Sequence, residues 1–285
     1  GGGHLQTMGG FGNAESASST NSLLFALIAI VALVAFVAIE HHLTHADGAV
    51  SPLIPLTLFR RPNFTPAILI NFAVGGVLII AMVNVPLVVN LLEVDVERSA
   101  LFSGYLLSGM TAMMAVMAYI GGRATGRFGY RLVTAVGLAL TIAAFGVMGW
   151  LWAVDTPYAQ MAVVLIVLGA GFGLVIAPIG TAVINAAPEP ERGIASGLVI
   201  MLRLMGMSLG LAGLTAWGLR RYDTLRTSII LPDLPFTDPV YQRAVMDGLT
   251  AVSVHILTET FLLSAAAALI ALLISWKLRG AGIDD

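Results

Sequence analysis

Three ionisable side chains stand where the surrounding sequence is apolar. Arg203 lies ten residues beyond Gly193, and His255 and Glu259 lie four residues apart in a later greasy run. Groups of this kind do exchange chemistry rather than bond-making chemistry. A carboxylate that alternates between protonated and ionised forms is what proton coupling requires, whereas a cation at the centre of a bilayer costs at least about 2.5 to 3.5 kcal/mol and must face protein or water. A spacing of four puts His255 and Glu259 on one helical face. Each candidate has a plainer alternative: Arg203 bonded to helix-end carbonyls or polar neighbours, and the His255/Glu259 pair reaching interfacial water. Asn71, Asn84 and Asn90, with Asn185 further on, are polar in equally apolar surroundings. They read either as hydrogen-bonding glue between helices, worth about 0.6 kcal/mol each, or as a polar lining. Tyr105, Tyr119 and the cluster Met113, Met114 and Met117 offer adaptable apolar contact or ordinary packing.

Other chemistries find no residues to carry them. The chain has no Cys, which excludes disulfides, thiolate metal sites and Cys nucleophiles. His41-His42 is followed by Leu43, and His255/Glu259 do not supply the H-E-x-x-H spacing of a zinc protease. No nucleophile and base stand together, so neither an enzyme nor a cofactor is expected. Gly169-x-Gly171-x-Gly173 lies inside an unbroken apolar run with no preceding strand, which indicates close helix packing rather than a dinucleotide loop; Gly206-x-x-x-Gly210 reads the same way. Gly121 to Arg127 lacks the Lys and hydroxyl of a phosphate-binding loop.

The elements that must position these residues follow from composition. Of 285 residues, 14 are Lys or Arg and 16 are Asp or Glu, so 11% are charged against 58% hydrophobic. Soluble domains carry roughly 25% charged residues. With a mean hydropathy of +0.93, the chain has lipid as its principal solvent. A net charge of −2 without a long basic block gives no footprint for nucleic acid.

Because a bilayer core of about 30 Å takes about 20 apolar residues in a helix, the continuous runs predict seven spans. They are Leu23 to Ile39, Phe64 to Leu92, Ser99 to Gly122, Leu132 to Val154, Tyr158 to Ala187, Ile194 to Leu219 and Val252 to Trp276. Pro66, Pro86 and Pro178 fall within them and are expected to bend their helices. Numbering the connections in order puts eight basic residues on one side of the membrane: Arg60, Arg61, Arg123, Arg127, Arg131, Arg192, Lys277 and Arg279. The other side has five, four of them in the Pro- and Asp-containing loop over 220–251. Long loops count for less in setting topology, so the first side is expected to be cytoplasmic.

The loop expected between spans three and four reads Gly122-Arg123-Ala124-Thr125-Gly126-Arg127-Phe128-Gly129-Tyr130-Arg131. Its glycines permit a tight turn, and its arginines can meet helix-end carbonyls, acidic partners or anionic headgroups. This string resembles the G-x-x-x-D-R-x-G-R-R loop of the major facilitator superfamily, in its copy from the C-terminal half. Pro52 to Phe64, with Arg60-Arg61-Pro62-Asn63, is similar to the linker before the second bundle of that family's 14-helix drug:proton antiporter branch. Gly169 to Gly173, Pro178, the stretch Pro188 to Gly197, and Arg203 with Gly206 and Gly210 resemble its late-helix signature. Gly126 stands where the motif has an acid. The resemblance therefore implies loss of an ion pair that would help latch one conformation, while Gly122, Arg123, Arg127, Gly129 and Arg131 keep the rest of the gating loop.

What the resemblance implies is an all-α transmembrane bundle forming the second half of a secondary carrier. Residues 1–22 would be a flexible loop or truncation scar, 23–39 an extra central helix, 40–63 a cytosolic linker, 64–279 the six-helix bundle and 280–285 a tail. Its partners would be protons, a small amphipathic substrate, the lipid bilayer and the N-terminal half of the same carrier. It would work by rocking two bundles around a cavity to which spans two, three, five and six contribute, exporting substrate from the cell membrane with its C-terminus in the cytoplasm. The alternative is a non-transporting membrane scaffold or partner-binding subunit.

Overall fold

A computed structural model describes residues 24–25, 27–32, 34–40, 54–93, 95–153, 155–225 and 238–278. The chain divides into two compact units, Gly1–Thr57 and Leu58–Asp285. Most of the first lies outside the described residues; within it runs the apolar helix α1 (Leu27–Glu40). The second unit comprises α2 (Phe64–Leu92), α3 (Val96–Leu151), α4 (Tyr158–Ala186), α5 (Arg192–Leu225) and α6 (Pro239–Ser275). Each of these five is long and apolar enough to cross a membrane.

At 56 residues, α3 would be about 84 Å long if straight, far more than one crossing. It folds back at Gly129, where φ is 77° and ψ is 162°. That region of dihedral space is essentially closed to residues with a Cβ. The halves, 96–128 and 130–151, are therefore separate helices, α3a and α3b, and the unit has six apolar helices. The expected basic loop is corrected accordingly: residues 122–128 are the last turns of α3a, and the reversal is made at one glycine. Gly129→Ala is expected to cost about 1 to 3 kcal/mol, seen as a lower unfolding midpoint in detergent; an unchanged midpoint would show that the turn tolerates a side chain.

Contacts fix the helix directions. Asn71 of α2 meets Val199 and Arg203 of α5, and Gly76 meets Gly206 and Gly210, so α2 and α5 run parallel. Gly169 lies against Met110 and Gly173 against Met114 and Ala118, so α4 runs parallel to α3a. Tyr130 with Asn185, and Gly137 with Gly171 and Val175, show α3b antiparallel to α4. Residues 72–80 of α2 share a cavity with 263–270 of α6, Asn84 bonds Thr260, and 87–91 share a cavity with 253–257, so α6 runs antiparallel to α2. Alternating directions bring Arg60, Arg61, Arg123, Arg127, Arg131, Arg192 and Lys277 to one end of the unit, with Glu189 and Glu191; Glu93, Asp95, Glu97, Asp155, Asp223 and Asp238 lie at the other, with Arg98, Arg220, Arg221 and Arg243.

Three glycines at alternate positions explain how α4 sits between α3a and α3b. Two residues turn a helix by about 200°, so Gly171 faces away from Gly169 and Gly173. A Cβ at Gly169 would collide with the Met110 carbonyl of α3a, whereas one at Gly171 would lie 2.5 Å from Thr141 Oγ1 and 2.8 Å from the Gly137 oxygen of α3b. Close approach on both faces is possible only without side chains. Phe145 of α3b packs at 6.2 Å between ring centres on Phe172 of α4 and also on Phe261 of α6, which Trp152 meets edge-on at 5.5 Å. These rings form the core near the acidic end. Outside it, Leu69, Trp150, Val163, Ile270 and Leu273 are exposed. Apolar exposure on this scale is costly in water and costs nothing in lipid.

Two expectations about boundaries change. The 220–251 loop is shorter than its polar composition suggested, because α5 continues to Leu225 and α6 starts at Pro239, with Asp238 capping the Val240 N–H at 2.8 Å. Residues 226–237 lie outside the described set, as do Arg226 and Arg279. Pro66 sits in the first turn of α2, where no intrahelical donor is lost; Pro86 and Pro178 lie inside helices that continue past them.

Candidate functional site

Arg203 emerges midway along α5 and meets Asn71 of α2. Its Nε and Nη2 donate to Asn71 Oδ1 at 3.0 and 2.9 Å, and Asn71 Nδ2 donates back to the Val199 carbonyl of α5 at 2.6 Å. Asn71 is buried and thus uses both ends of its amide between the helices. The arrangement needs the helices nearly in backbone contact, which glycines provide. A Cβ at Gly75 would strike the Arg203 carbonyl, and one at Gly206 the Phe72 carbonyl; at Gly210 it would come within 2.7 Å of the Gly76 Cα. Sequence reading found Gly206 and Gly210 but not their counterparts Gly75 and Gly76. The adjacent glycines in an otherwise bulky apolar run were the available signal.

A second charged cluster ties α5 to α6. Arg221 grips Glu259 with both prongs, Nε to Oε2 at 2.9 Å and Nη2 to Oε1 at 2.7 Å, and His255 Nε2 lies 3.0 Å from the same Oε1. Glu259 is thereby held by an arginine that the sequence placed in a solvated loop. Charge-assisted bidentate pairs are stronger than neutral hydrogen bonds and fix orientation as well. Arg203 and Glu259, considered together as coupling candidates, belong to different clusters.

The other three candidate asparagines bridge helices. Asn84 donates to Thr260 Oγ1 at 2.6 Å, joining α2 to α6 beside Glu259; Asn90 accepts from Ser99 of α3a; Asn185 donates to the Tyr130 hydroxyl of α3b at 2.9 Å, next to the Gly129 reversal. In the basic segment Arg123 lies over Tyr119, its hydrogen-bond partner, and Arg127 over Phe128. No carboxylate among the described residues pairs with Arg123, Arg127 or Arg131. A Cβ at Gly126 or Gly122 would meet nothing within 4 Å, so local crowding does not explain the missing acid. Tyr105 and Tyr119 are exposed, while Met114 and Met117 press on Gly173. No group of three His, Asp or Glu among the described residues could hold a metal.

The family model of the Major Facilitator Superfamily matches residues 10–211. This chain belongs to that superfamily. The chain is an all-helical integral membrane protein, and it is similar to several curated triacylglyceride transporters. A triacylglyceride transporter of Mycolicibacterium hassiacum is 33% identical over 205 residues, covering 67% of this chain and 37% of the relative. One of Mycobacteroides abscessus is 34% identical over 177 residues, 57% of this chain and 33% of the relative. One of Mycobacterium tuberculosis strain H37Rv is 32% identical over 209 residues, 68% of this chain and 38% of the relative. The facilitator chain thus spans well under half the length of these relatives.

Proposed function

We propose that this chain supplies the second six-helix bundle of a secondary active exporter, whose substrates are amphipathic or lipid-like and whose transport is driven by protons. The observation that carries the reading is the Arg203–Asn71 contact at the glycine crossing of α2 and α5. A cation held inside a span by one neutral amide keeps donors that a substrate or a carboxylate of the first bundle can engage. Glu259, held by Arg221 and approached by His255, is the proton-linked candidate. The designation of the relatives as triacylglyceride transporters favours an apolar acylated substrate over a small polar one. Exposed apolar side chains along α5, including Ile200, Leu204 and Leu209, and along α3a, including Leu101 and Val116, form the face proposed to meet the first bundle. The basic end is assigned to the cytoplasm, together with the C-terminus, by the excess of arginines in short connections.

The test is export by the full-length carrier in inverted membrane vesicles, with a fluorescent acylglyceride and a separate amphipathic dye under an imposed proton gradient. Arg203→Ala or Glu259→Gln is expected to lower gradient-driven export at least about tenfold, equivalent to about 1.4 kcal/mol, with the amount of protein in the membrane unchanged. Wild-type rates in both variants would remove these residues from the coupling scheme. Export that persists after the gradient is collapsed would remove proton coupling.

A further inference from the structure

An apolar groove runs between α2, α5 and α6. It consists of three cavities of about 510, 200 and 400 Å³ that share walls: Leu214 borders the first two, and Leu87, Gly218 and Ile256 border the second and third. On α2 its lining extends from Phe72 to Leu91, about 28 Å at 1.5 Å per residue, nearly the thickness of a hydrocarbon core. Gly213, where a Cβ would meet nothing within 4 Å, leaves it open at mid-bundle. No charged residue among the described residues lines it. The polar groups it meets are uncharged: Ser264 and Trp217 in the first cavity, Asn84, Thr215 and Thr260 partway, then Asn90, Tyr222 and Ser253 towards the acidic end. Arg221 and Glu259 lie three residues beyond the liners Gly218 and Ile256, and their bidentate pair clasps the two helices alongside the groove.

We infer that this groove holds one acyl chain of an uncharged acylglycerol, its ester end among Asn90, Tyr222 and Ser253 and its alkyl end near Gly76 and Gly213. The inference rests on the proposed export of acylated substrates and names a binding place for them. A long slot lined mostly by apolar side chains fits an extended alkyl chain. Neutral hydrogen-bonding groups at its end suit ester carbonyls and hydroxyls, and they offer no cation to a phosphate or a free carboxylate. The expected cavity from spans two, three, five and six shares α2 and α5 with this groove but does not include α6, which forms its other wall.

Two glycines allow the groove to be plugged without disturbing the helices. A Cβ at Gly213 meets nothing within 4 Å, and one at Gly218 meets only Ile256 Cγ2 at 3.9 Å. Gly146 of α3b is equally open and lies outside the groove, so Gly146→Leu serves as control. The 285-residue chain in nanodiscs is irradiated with a diacylglycerol bearing a diazirine on one acyl chain, and labelled peptides are mapped. Label is expected on α2, α5 and α6 around Leu209, Leu214 and Ile270, about tenfold weaker in Gly213→Leu and Gly218→Leu and unchanged in Gly146→Leu. Equal labelling by a diazirine phosphatidylcholine, or full labelling in both plugged variants, overturns the inference. Label absent while the full-length carrier still exports acylglyceride overturns the groove and leaves the export reading standing. Label present without export supports the groove and removes that reading.

Discussion

Gly206→Ala is expected to destabilise the bundle by about 2 to 3 kcal/mol, near the top of the range for overpacking. The added methyl group would collide with the carbonyl oxygen of Phe72. Backbone cannot rotate away as a side chain can, so α5 must move off α2 along the whole seam that Gly75, Gly76 and Gly210 share. Separation also pulls Arg203 from Asn71, which adds to the cost. Gly169→Ala should behave alike, since its Cβ meets the Met110 carbonyl of α3a. Gly146→Ala should change sign: its Cβ meets nothing, and alanine in a helix interior gains roughly 0.5 to 1 kcal/mol over glycine. Unfolding midpoints of the three variants in one detergent decide the matter. Equal midpoints for Gly206→Ala and Gly146→Ala would mean that the two helices are not in backbone contact.

Asn71→Leu is expected to cost about 2 to 3 kcal/mol, because hydrogen bonds to a charged group are worth about 1.5 to 3 kcal/mol and their loss strands the cation. Among the described residues Asn71 is the side chain to which Arg203 donates. Removing the amide leaves a guanidinium in an apolar span with no acceptor in its former place. Removing both partners with apolar groups of similar shape is far less costly. Asn71→Leu combined with Arg203→Leu should therefore recover most of the lost stability while export by the full-length carrier stays abolished. That divergence separates a residue kept for transport from one kept for packing. If the double variant exports normally, the Arg203 assignment fails.

Much of the architecture could be read without coordinates because lipid leaves few choices. With every backbone group needing an internal partner, runs of about 20 apolar residues must be helices; the runs from Phe64 to Leu92 and from Tyr158 match α2 and α4 within a residue, while α3a, α5 and α6 extend beyond theirs by about six residues or more. The segment 122–131 was less tractable. Glycine and arginine signal a turn, yet nothing in composition distinguishes a ten-residue loop from two helices meeting at one residue. Gly129 decides it through its dihedral angles, and those depend on both flanking helices packing against α4. Arg221 was misplaced for a related reason: it follows the apolar run and precedes prolines, so local polarity indicated a loop, while α5 continues to Leu225 and carries it to Glu259.

The amino-acid order alone determined the solvent, the helical class and the number of apolar helices after residue 63, since each depends on how much apolar length lies between polar breaks. Only the tertiary structure decided who meets whom: Arg203 with Asn71 across a glycine seam, Glu259 with Arg221, and Gly171 facing the opposite neighbour from Gly169 and Gly173. Such pairings depend on which helix faces approach within a side chain's reach. In a chain apolar on nearly every face, the hydrophobic pattern marks no preferred side, and the choice falls to small residues and isolated polar groups whose partners lie a hundred or more positions away.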